Sequence, residues 1–327
     1  MADDNFSWID GERLVRFGRG TEVPLEHYAL LTGASKRLPE LEEGADVVLE
    51  VPPGPVPEVA AAVRDGVGGR PIVAFGGGRV IDAAKGIAGA DGLTVAAVPT
   101  TLSGAPMTKL HRMPAGVEEW NLVRPSIVIA EPELMASQEP QPRAASAMNA
   151  LAHAAEALYG PMANPVAEMA ALRAAELLAK GLEAPREDRA RPALALGAIL
   201  AGYAVGSAGF ALHHLLGQTL VRVTGAPHAG AYAVLLPHTL EAMLPRATDV
   251  FRRLADVLGL GSTNPAAVPA RVAELAELAG PTKLSDLGVD AGQIDVVVAE
   301  ALQRPDLGNT PDPPDAAELR AILEAAL

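Results

Sequence analysis

The stretch Val73-Ala-Phe-Gly-Gly-Gly-Arg-Val-Ile-Asp-Ala-Ala-Lys85 decides the fold. A short apolar run, Pro71 to Phe75, has the composition of a buried strand and leads straight into three glycines. A helical pattern follows, with Asp82 and Lys85 one turn apart. Gly76, Gly77 and Gly78 carry no Cβ, so the backbone can turn sharply and let a phosphate approach its N–H groups. The helix N-terminus adds unpaired donors and a partial positive charge. Read this way the run is a pyrophosphate cradle and the chain a nucleotide-dependent enzyme. The plainer reading is a tight strand-to-helix turn without a ligand.

Around this motif the chain alternates strand and helix patterns. Leu14 to Phe17, Tyr28 to Thr32, Val47 to Val51, Pro71 to Phe75, Thr94 to Pro99 and Ser126 to Ala130 read as strands, and Val56 to Val67 and Arg79 to Ala90 as helices. Such alternation builds an α/β, doubly wound parallel sheet with its ligand at the carboxyl ends of the strands. From about Gln138 the pattern changes to long Ala/Leu-rich helices, running from Ala144–Tyr159 to Asp315–Leu327, with no convincing strand. The expected division is therefore a nucleotide-binding domain over 1–137 and an all-helical domain over 138–327, with Pro132 and Pro140 punctuating the junction. Pro305 to Pro314 reads as a connecting loop.

Composition supports a globular protein. The 327 residues exceed one small core, and 49% hydrophobic with 20% charged residues is the balance of a folded protein. Aromatics make up only 3%, which favours close-packed helices over a β-sandwich. A net charge of −14 argues against nucleic acid and anionic membranes, which need a cationic face. With no cysteine, disulfides, thiolate metal sites and a Cys nucleophile are excluded. The opening Met1-Ala-Asp-Asp-Asn5 lacks the basic-then-apolar pattern of a secretory leader, and no apolar stretch reaches the ~20 residues of a membrane helix. A cytoplasmic protein acting on a small molecule is the expectation.

Five of the seven histidines lie in the helical part. Asn149 and His153 are four apart and share a helix face; His213-His214 lies on a later helix, and Pro227-His228-Ala229 opens the next. A polar pair at i and i+4 with later histidines is how helices converge on a metal or an active-site cavity. Taken singly, each is as well read as a satisfied core or surface residue.

These runs resemble the iron-dependent alcohol dehydrogenase superfamily, which also holds glycerol dehydrogenase and dehydroquinate synthase. The resemblance rests on Gly76-Gly-Gly-Arg-Val-Ile-Asp-Ala-Ala-Lys85, Val98-Pro-Thr-Thr-Leu-Ser-Gly104, Met148-Asn-Ala-Leu-Ala-His-Ala-Ala-Glu156, and Pro227-His228 through Leu235-Leu-Pro-His238. Within it the chain is most similar to maleylacetate reductases, on Thr100-Thr-Leu-Ser-Gly with Met107-Thr108 and His111-Arg112, and on Leu158-Tyr159 with Asn164-Pro165. The resemblance implies a dinucleotide-binding domain, a helical second domain, a cleft between them for nicotinamide and substrate, and a homodimer. It implies that Gly76, Gly77 and Gly78 hold the pyrophosphate of NAD(P)H with Asp82 and Lys85 nearby, and that Thr100, Thr101 and Ser103 line the adenine and nicotinamide end. The metal ligands of the superfamily, one Asp and three His, correspond here to Asn149, His153, His214 and His228.

Departures from the pattern shape the functional expectation. An amide at Asn149 is a poor ligand for zinc or iron beside a carboxylate; maleylacetate reductases resemble this chain in carrying Asn there and are metal-free. No metal is expected, with His153, His214 and His228 a minor possibility as a His₃ site. Without a metal, His153, His214 and His228 become the candidates for stabilising charge on a carbonyl oxygen and handing over a proton. Gln218 stands where the family carries a further histidine, Gly230-Ala-Tyr232 where the reductases carry Glu-Thr-His, and Pro106 where a glutamate is expected. Gln218 and Tyr232 thus join the catalytic candidates, Tyr232 as a hydroxyl donor or a packing residue. Asn149 and the basic cluster Lys109, His111 and Arg112 are candidates for binding a substrate carboxylate. The stretch between Thr32 and Pro71 is too short for the family's full strand–helix segment, so a helix beside the adenosine is expected to be missing.

The leading expectation is a metal-independent NAD(P)H-dependent reductase of a small carboxylated carbonyl or enone, similar to maleylacetate reductase. The alternative is a non-redox biosynthetic enzyme on the same fold, a cyclase, dehydratase or isomerase using acid–base His/Tyr chemistry. A catalytically dead binding protein is the third reading, and the retention of three histidines together argues against it.

Overall fold

The computed structural model describes residues 6–33, 37–184, 189–261 and 263–327, the first five of these by their backbone alone. The chain divides into two compact units, Met1–Gln138 and Glu139–Leu327.

The first unit is a seven-stranded sheet. In chain order its elements are β1 (Phe6–Asp10), β2 (Arg13–Phe17), β3 (Tyr28–Thr32), α1 (Pro39–Glu43), β4 (Ala45–Glu50), α2 (Val56–Val67), β5 (Ile72–Gly76), α3 (Gly78–Asp91), β6 (Val95–Pro99), β7 (Ile127–Ala130) and α4 (Pro132–Met135). The strand order is β1-β2-β7-β6-β5-β3-β4, parallel from β2 onward, with β1 antiparallel on β2. Strands β3, β5 and β6 are buried at every position, as parallel strands covered on both faces must be, and their sequences are correspondingly apolar runs rather than alternations. One face carries Leu31, Ile72, Ala74, Val95 and Ala97 against α2 and α3. The other carries Leu30, Val73, Phe75, Val98 and Ile129 against Leu41 of α1 and Leu134 of α4.

The connections place the glycine triplet. The β3-to-β4 connection runs through α1 on one face, and the β5-to-β6 connection through α3 on the other. The winding therefore reverses between the neighbouring strands β3 and β5, and β5 ends at Gly76. Ligands of open parallel sheets bind at such a switch point, beyond the carboxyl ends of the strands. The expected gap between Thr32 and Pro71 holds the one-turn helix α1 and the edge strand β4; residues 34–36 of that stretch lie outside the described residues.

In the second unit every element among the described residues is helical. They are α5 (Pro140–Ala157), α6 (Pro165–Glu183), α7 (Ala190–Ala208), α8 (Leu212–Thr224), α9 (His228–Met243), α10 (Thr248–Val257), α11 (Val268–Ala276), α12 (Ile294–Leu302) and α13 (Ala316–Ala326), with 3₁₀ turns between. Helix α5 is buried along most of its length, which its run of alanines allows. The chain turns by 100° between α7 and α8, so α8 begins with its N-terminus close to α5. Pro305–Asn309, expected as plain loop, forms a 3₁₀ turn. Among the described residues no single helix is long and apolar enough to cross a membrane.

Candidate active site

In the first unit, two separated pieces of sequence meet at the start of α3. The Thr100 N–H donates to the Gly76 carbonyl at 2.9 Å, which fastens the loop after β6 to the end of β5. A Cβ on Gly77 would lie 3.1 Å from Thr101 Cγ2, and one on Gly78 3.2 Å from Ser103 Oγ. A Cβ on Gly76 would meet Val80 at 2.7 Å. None of the three glycines has positive φ, so they are needed for room rather than for a left-handed turn. Gly77 caps α3 without a side-chain acceptor, leaving the first-turn N–H groups of a 14-residue helix to a ligand or solvent. Ser103 Oγ is buried beside this N-terminus with no hydrogen-bond partner. An anion carrying several oxygens fits such a place.

Two expected cofactor residues turn out otherwise. The Lys85 side chain is fully buried, and its Nζ donates to the carbonyls of Ala105 (3.0 Å), Thr108 (3.1 Å) and Leu110 (2.8 Å). It also pairs with Asp82 Oδ1 at 2.7 Å. With four oxygens around it the ammonium is committed to holding the 105–110 loop, and Asp82 to holding the ammonium. Neither faces a phosphate as the sequence suggested. Burial draws the Lys85 pKa down, and the Asp82 carboxylate opposes that shift.

The basic cluster is corrected in the same way. His111 is buried; its Nε2 accepts from the Val123 N–H at 3.1 Å, and its Nδ1 lies 3.2 Å from the Arg112 carbonyl, as an Nδ1–H donor. Both ring nitrogens are spent, and burial lowers its pKa, so it offers no cation to a substrate. Lys109 and Arg112 are exposed.

In the second unit the helices do bring the separated histidines together. His153 of α5 stacks on His214 of α8, with ring centroids 4.5 Å apart and planes 16° off parallel. Phe210 also stacks on His214, at 4.3 Å and 17°, and lies 5.7 Å from His153. Tyr232 of α9 meets His214 edge-on at 5.2 Å, His213 edge-on at 5.2 Å, and His228 at 4.1 Å. The Tyr232 ring is fully buried because Gly217 opposite has no Cβ: one there would stand 2.8 Å from the ring. Its hydroxyl reaches the His214 carbonyl at 3.5 Å, and burial raises its pKa, so it packs rather than serves as an acid.

Burial keeps the imidazoles neutral. Desolvation, reinforced by neighbouring histidines, holds His153 and His214 well below the ordinary imidazole value and takes His213 down to about 3. Asn149 Oδ1, His153 Nδ1 and His214 Nε2 are buried and have no partner within the protein. Unpaired buried polar atoms cost roughly 1–3 kcal/mol each, so this concentration marks a place built to receive a polar ligand.

Gln218, expected among the catalytic residues, is held elsewhere. Its Oε1 accepts from Arg304 Nη2 at 2.9 Å, and the same guanidinium pairs with Asp306 at 2.6 Å. The residue missed by the sequence reading is Glu156, fully buried on α5, whose Oε2 lies 2.5 Å from His214 Nδ1. Its spacing of three from His153, within a motif already recognised, was the available signal.

The donor set does not fit a metal centre. A metal at the usual 2.0–2.1 Å lies in the plane of each imidazole it binds, and the near-parallel stacked rings of His153 and His214 share no such point. Asn149 adds a neutral amide where a carboxylate would be needed, and His214 Nδ1 is occupied by Glu156. Among the described residues no three His, Asp or Glu side chains are arranged to hold an ion.

A parallel sheet with an open helix N-terminus at its switch point, and an all-helical unit enclosing stacked histidines, together define a class of NAD(P)-dependent oxidoreductases. The chain belongs to the iron-containing alcohol dehydrogenase family: residues 143–327 match "Fe-containing alcohol dehydrogenase family, C-terminal". It is 36% identical over 245 residues to maleylacetate reductase 1 of Rhodococcus opacus, covering 72% of this chain and 67% of that one. The solved maleylacetate reductase of Agrobacterium tumefaciens is similar at a TM-score of 0.80 and 27% identity, over 93% of this chain and 90% of that one. The iron-containing alcohol dehydrogenase of Corynebacterium glutamicum is similar at 0.81 and 28%, over 91% and 87%. This chain is accordingly an oxidoreductase of the maleylacetate reductase-like kind.

Proposed function

We propose that the protein reduces a small carboxylated ketone or enone with NADH or NADPH and without a metal, maleylacetate being the first substrate to test. The observation that carries this reading is the buried stack around His214, which leaves imidazole and amide atoms unpartnered where other members of the superfamily hold a cation. The dihydronicotinamide, when bound, supplies the hydride. The N–H groups at the start of α3, with Gly77, Gly78, Thr101 and Ser103, would receive its diphosphate. Lys85 keeps the loop bearing Ser103 in place from below.

In the helical unit, His214, with His153 and His228 beside it, would donate to the substrate oxygen as negative charge gathers there and pass it a proton. Asn149 would orient the substrate through its amide. Exposed Lys109 and Arg112 remain the candidates for a substrate carboxylate. A cytoplasmic homodimer acting on a small molecule, not on nucleic acid or membrane, belongs to the same reading.

The test is loss of dihydronicotinamide absorbance with maleylacetate as acceptor, with and without a chelator. Turnover that is indifferent to the chelator is expected. Inactivation by the chelator with recovery on adding Fe²⁺ or Zn²⁺ would overturn the metal-independent part. Oxidation of NAD(P)H by simple aldehydes but not by maleylacetate would overturn the substrate.

A further inference from the structure

We propose that Glu156 is a positioning residue for His214, holding the imidazole by Nδ1 so that Nε2 is the one ring atom presented to a substrate oxygen. This rests on the reading of the histidine stack as the reaction centre. Three observations on separate parts of the side chain carry it.

First, both oxygens of the carboxylate are spent on His214. Oε2 bonds ring Nδ1 at 2.5 Å, and Oε1 accepts the His214 backbone N–H at 3.2 Å. Second, α8 begins at Ala211 with no side chain of its own to cap it, and Glu156 supplies the missing acceptor from α5. Burial pushes the Glu156 pKa up to about 7, and the amides of Ala211 and His213, which also bond the carboxylate, oppose that rise. A fully buried carboxylate is otherwise costly; at a helix N-terminus it meets orphan N–H groups and the positive end of the dipole. Third, the His214 ring is packed by His153 and Phe210, whose centroids lie 4.5 and 4.3 Å from it and 5.7 Å from each other. A ring packed by two neighbours and held at Nδ1 keeps the unpartnered Nε2 as its remaining polar atom.

The other titratable groups around the pair are His153 on α5 and Tyr159 just past its end, His213 on α8, and His228 and Tyr232 on α9, with Arg304 acting on Tyr232 from before the 3₁₀ turn. In the step this serves, the dihydronicotinamide, when bound, would supply the hydride for the new C–H bond, and the π electrons of the acceptor would move to its oxygen. Nε2 of the neutral, Nδ1-protonated ring takes a proton from solvent and passes it to that oxygen, while the proton between Nδ1 and Oε2 stays in the pair. The ring thereby returns to the neutral Nδ1–H form that Glu156 holds. An oriented carboxylate behind an imidazole has the same geometric role in hydrolytic triads.

The experiment uses the full chain with ¹⁵N-labelled histidine, and the variants Glu156→Gln and Glu156→Asp. In the resting wild-type protein we expect a strongly downfield proton assigned to His214 Nδ1, absent from the His214→Asn spectrum. Glu156→Gln, which keeps the shape and an acceptor but no charge, should lose that signal. It should lower kcat by about 10–100-fold with KM and NAD(P)H affinity within a few-fold of wild type. Glu156→Asp should recover part of both. A His214 Nδ1 without a proton in the wild type overturns the proposal, whether or not any variant folds. So does Glu156→Gln with unchanged kcat, or with kcat, KM and melting temperature all falling together, the mark of a cap alone. The spectrum needs no substrate, so a protein inert toward maleylacetate would sink the substrate reading and leave this one to its own measurement.

Discussion

Lys85→Met is expected to lower the free energy of unfolding by about 3–5 kcal/mol. Methionine matches the length of the stem, so the packing of α3 against the sheet is nearly preserved and the loss isolates the ammonium. Three carbonyls, of Ala105, Thr108 and Leu110, then lose the donor they share, and Asp82 loses its cation. The segment that Lys85 holds follows Ser103 directly, so part of the loss should appear as local opening near Ser103, and affinity for NAD(P)H should fall with it. Urea denaturation followed by circular dichroism, together with a cofactor titration, measures both. A variant within about 1 kcal/mol of wild type, a size usual for surface changes and below that for buried charges, would mean the loop is held by something else.

His214→Asn is expected to lower kcat by about 10²–10⁴-fold, the range ordinarily supplied by a positioned general acid. Asparagine can still donate to Glu156 from the position of Nδ1, so the cap on α8 survives, while nothing remains at the position of Nε2. The first unit is untouched by the change, and NAD(P)H affinity should stay within a few-fold of wild type. Steady-state kinetics with maleylacetate and a fluorescence titration of the cofactor separate the two effects. A kcat within tenfold of wild type would shift the proton-donating role to His153 or His228.

Much of this was readable from the chain, for physical reasons. Strands β3, β5 and β6 are unbroken apolar runs because both their faces are covered, and the step from Phe75 into Gly76 marks where β5 stops. Helix α2 carries a left-handed glycine just past its end, at Gly68, and its span agrees with the pattern read from sequence. The antiparallel β1 escaped because five residues with Ser7 and Asp10 among them alternate too weakly to register. The convergence of His153, His214, His228 and Tyr232 followed from helical spacing and the resemblance together.

What failed were side chains whose partners come from irregular backbone. Lys85 one turn beyond a glycine triplet looks like a phosphate ligand; only the carbonyls of the 105–110 loop, invisible in any periodic pattern, show where its ammonium goes. His111 is neutralised by two backbone groups in the same fashion. Gln218 sits four residues after His214, yet Arg304, 86 residues further along the chain, claims it. Gln218 and Tyr232, together with the shortened N-terminal domain, are the sequence grounds for a non-redox alternative; Gln218 is tied to a guanidinium and Tyr232 packed under a glycine, so these two do not favour it. Glu156 was passed over because a glutamate after two alanines reads as an ordinary exposed helix charge.

The account stands or falls on cofactor binding. Calorimetric titration of NADH and of NADPH into the metal-stripped protein should give saturable binding of at least one of them, one per chain. The bound form should gain about 2.7 kcal/mol of stability at a hundredfold excess over Kd. The absence of both heat of binding and any rise in melting temperature, with either nucleotide, would contradict it.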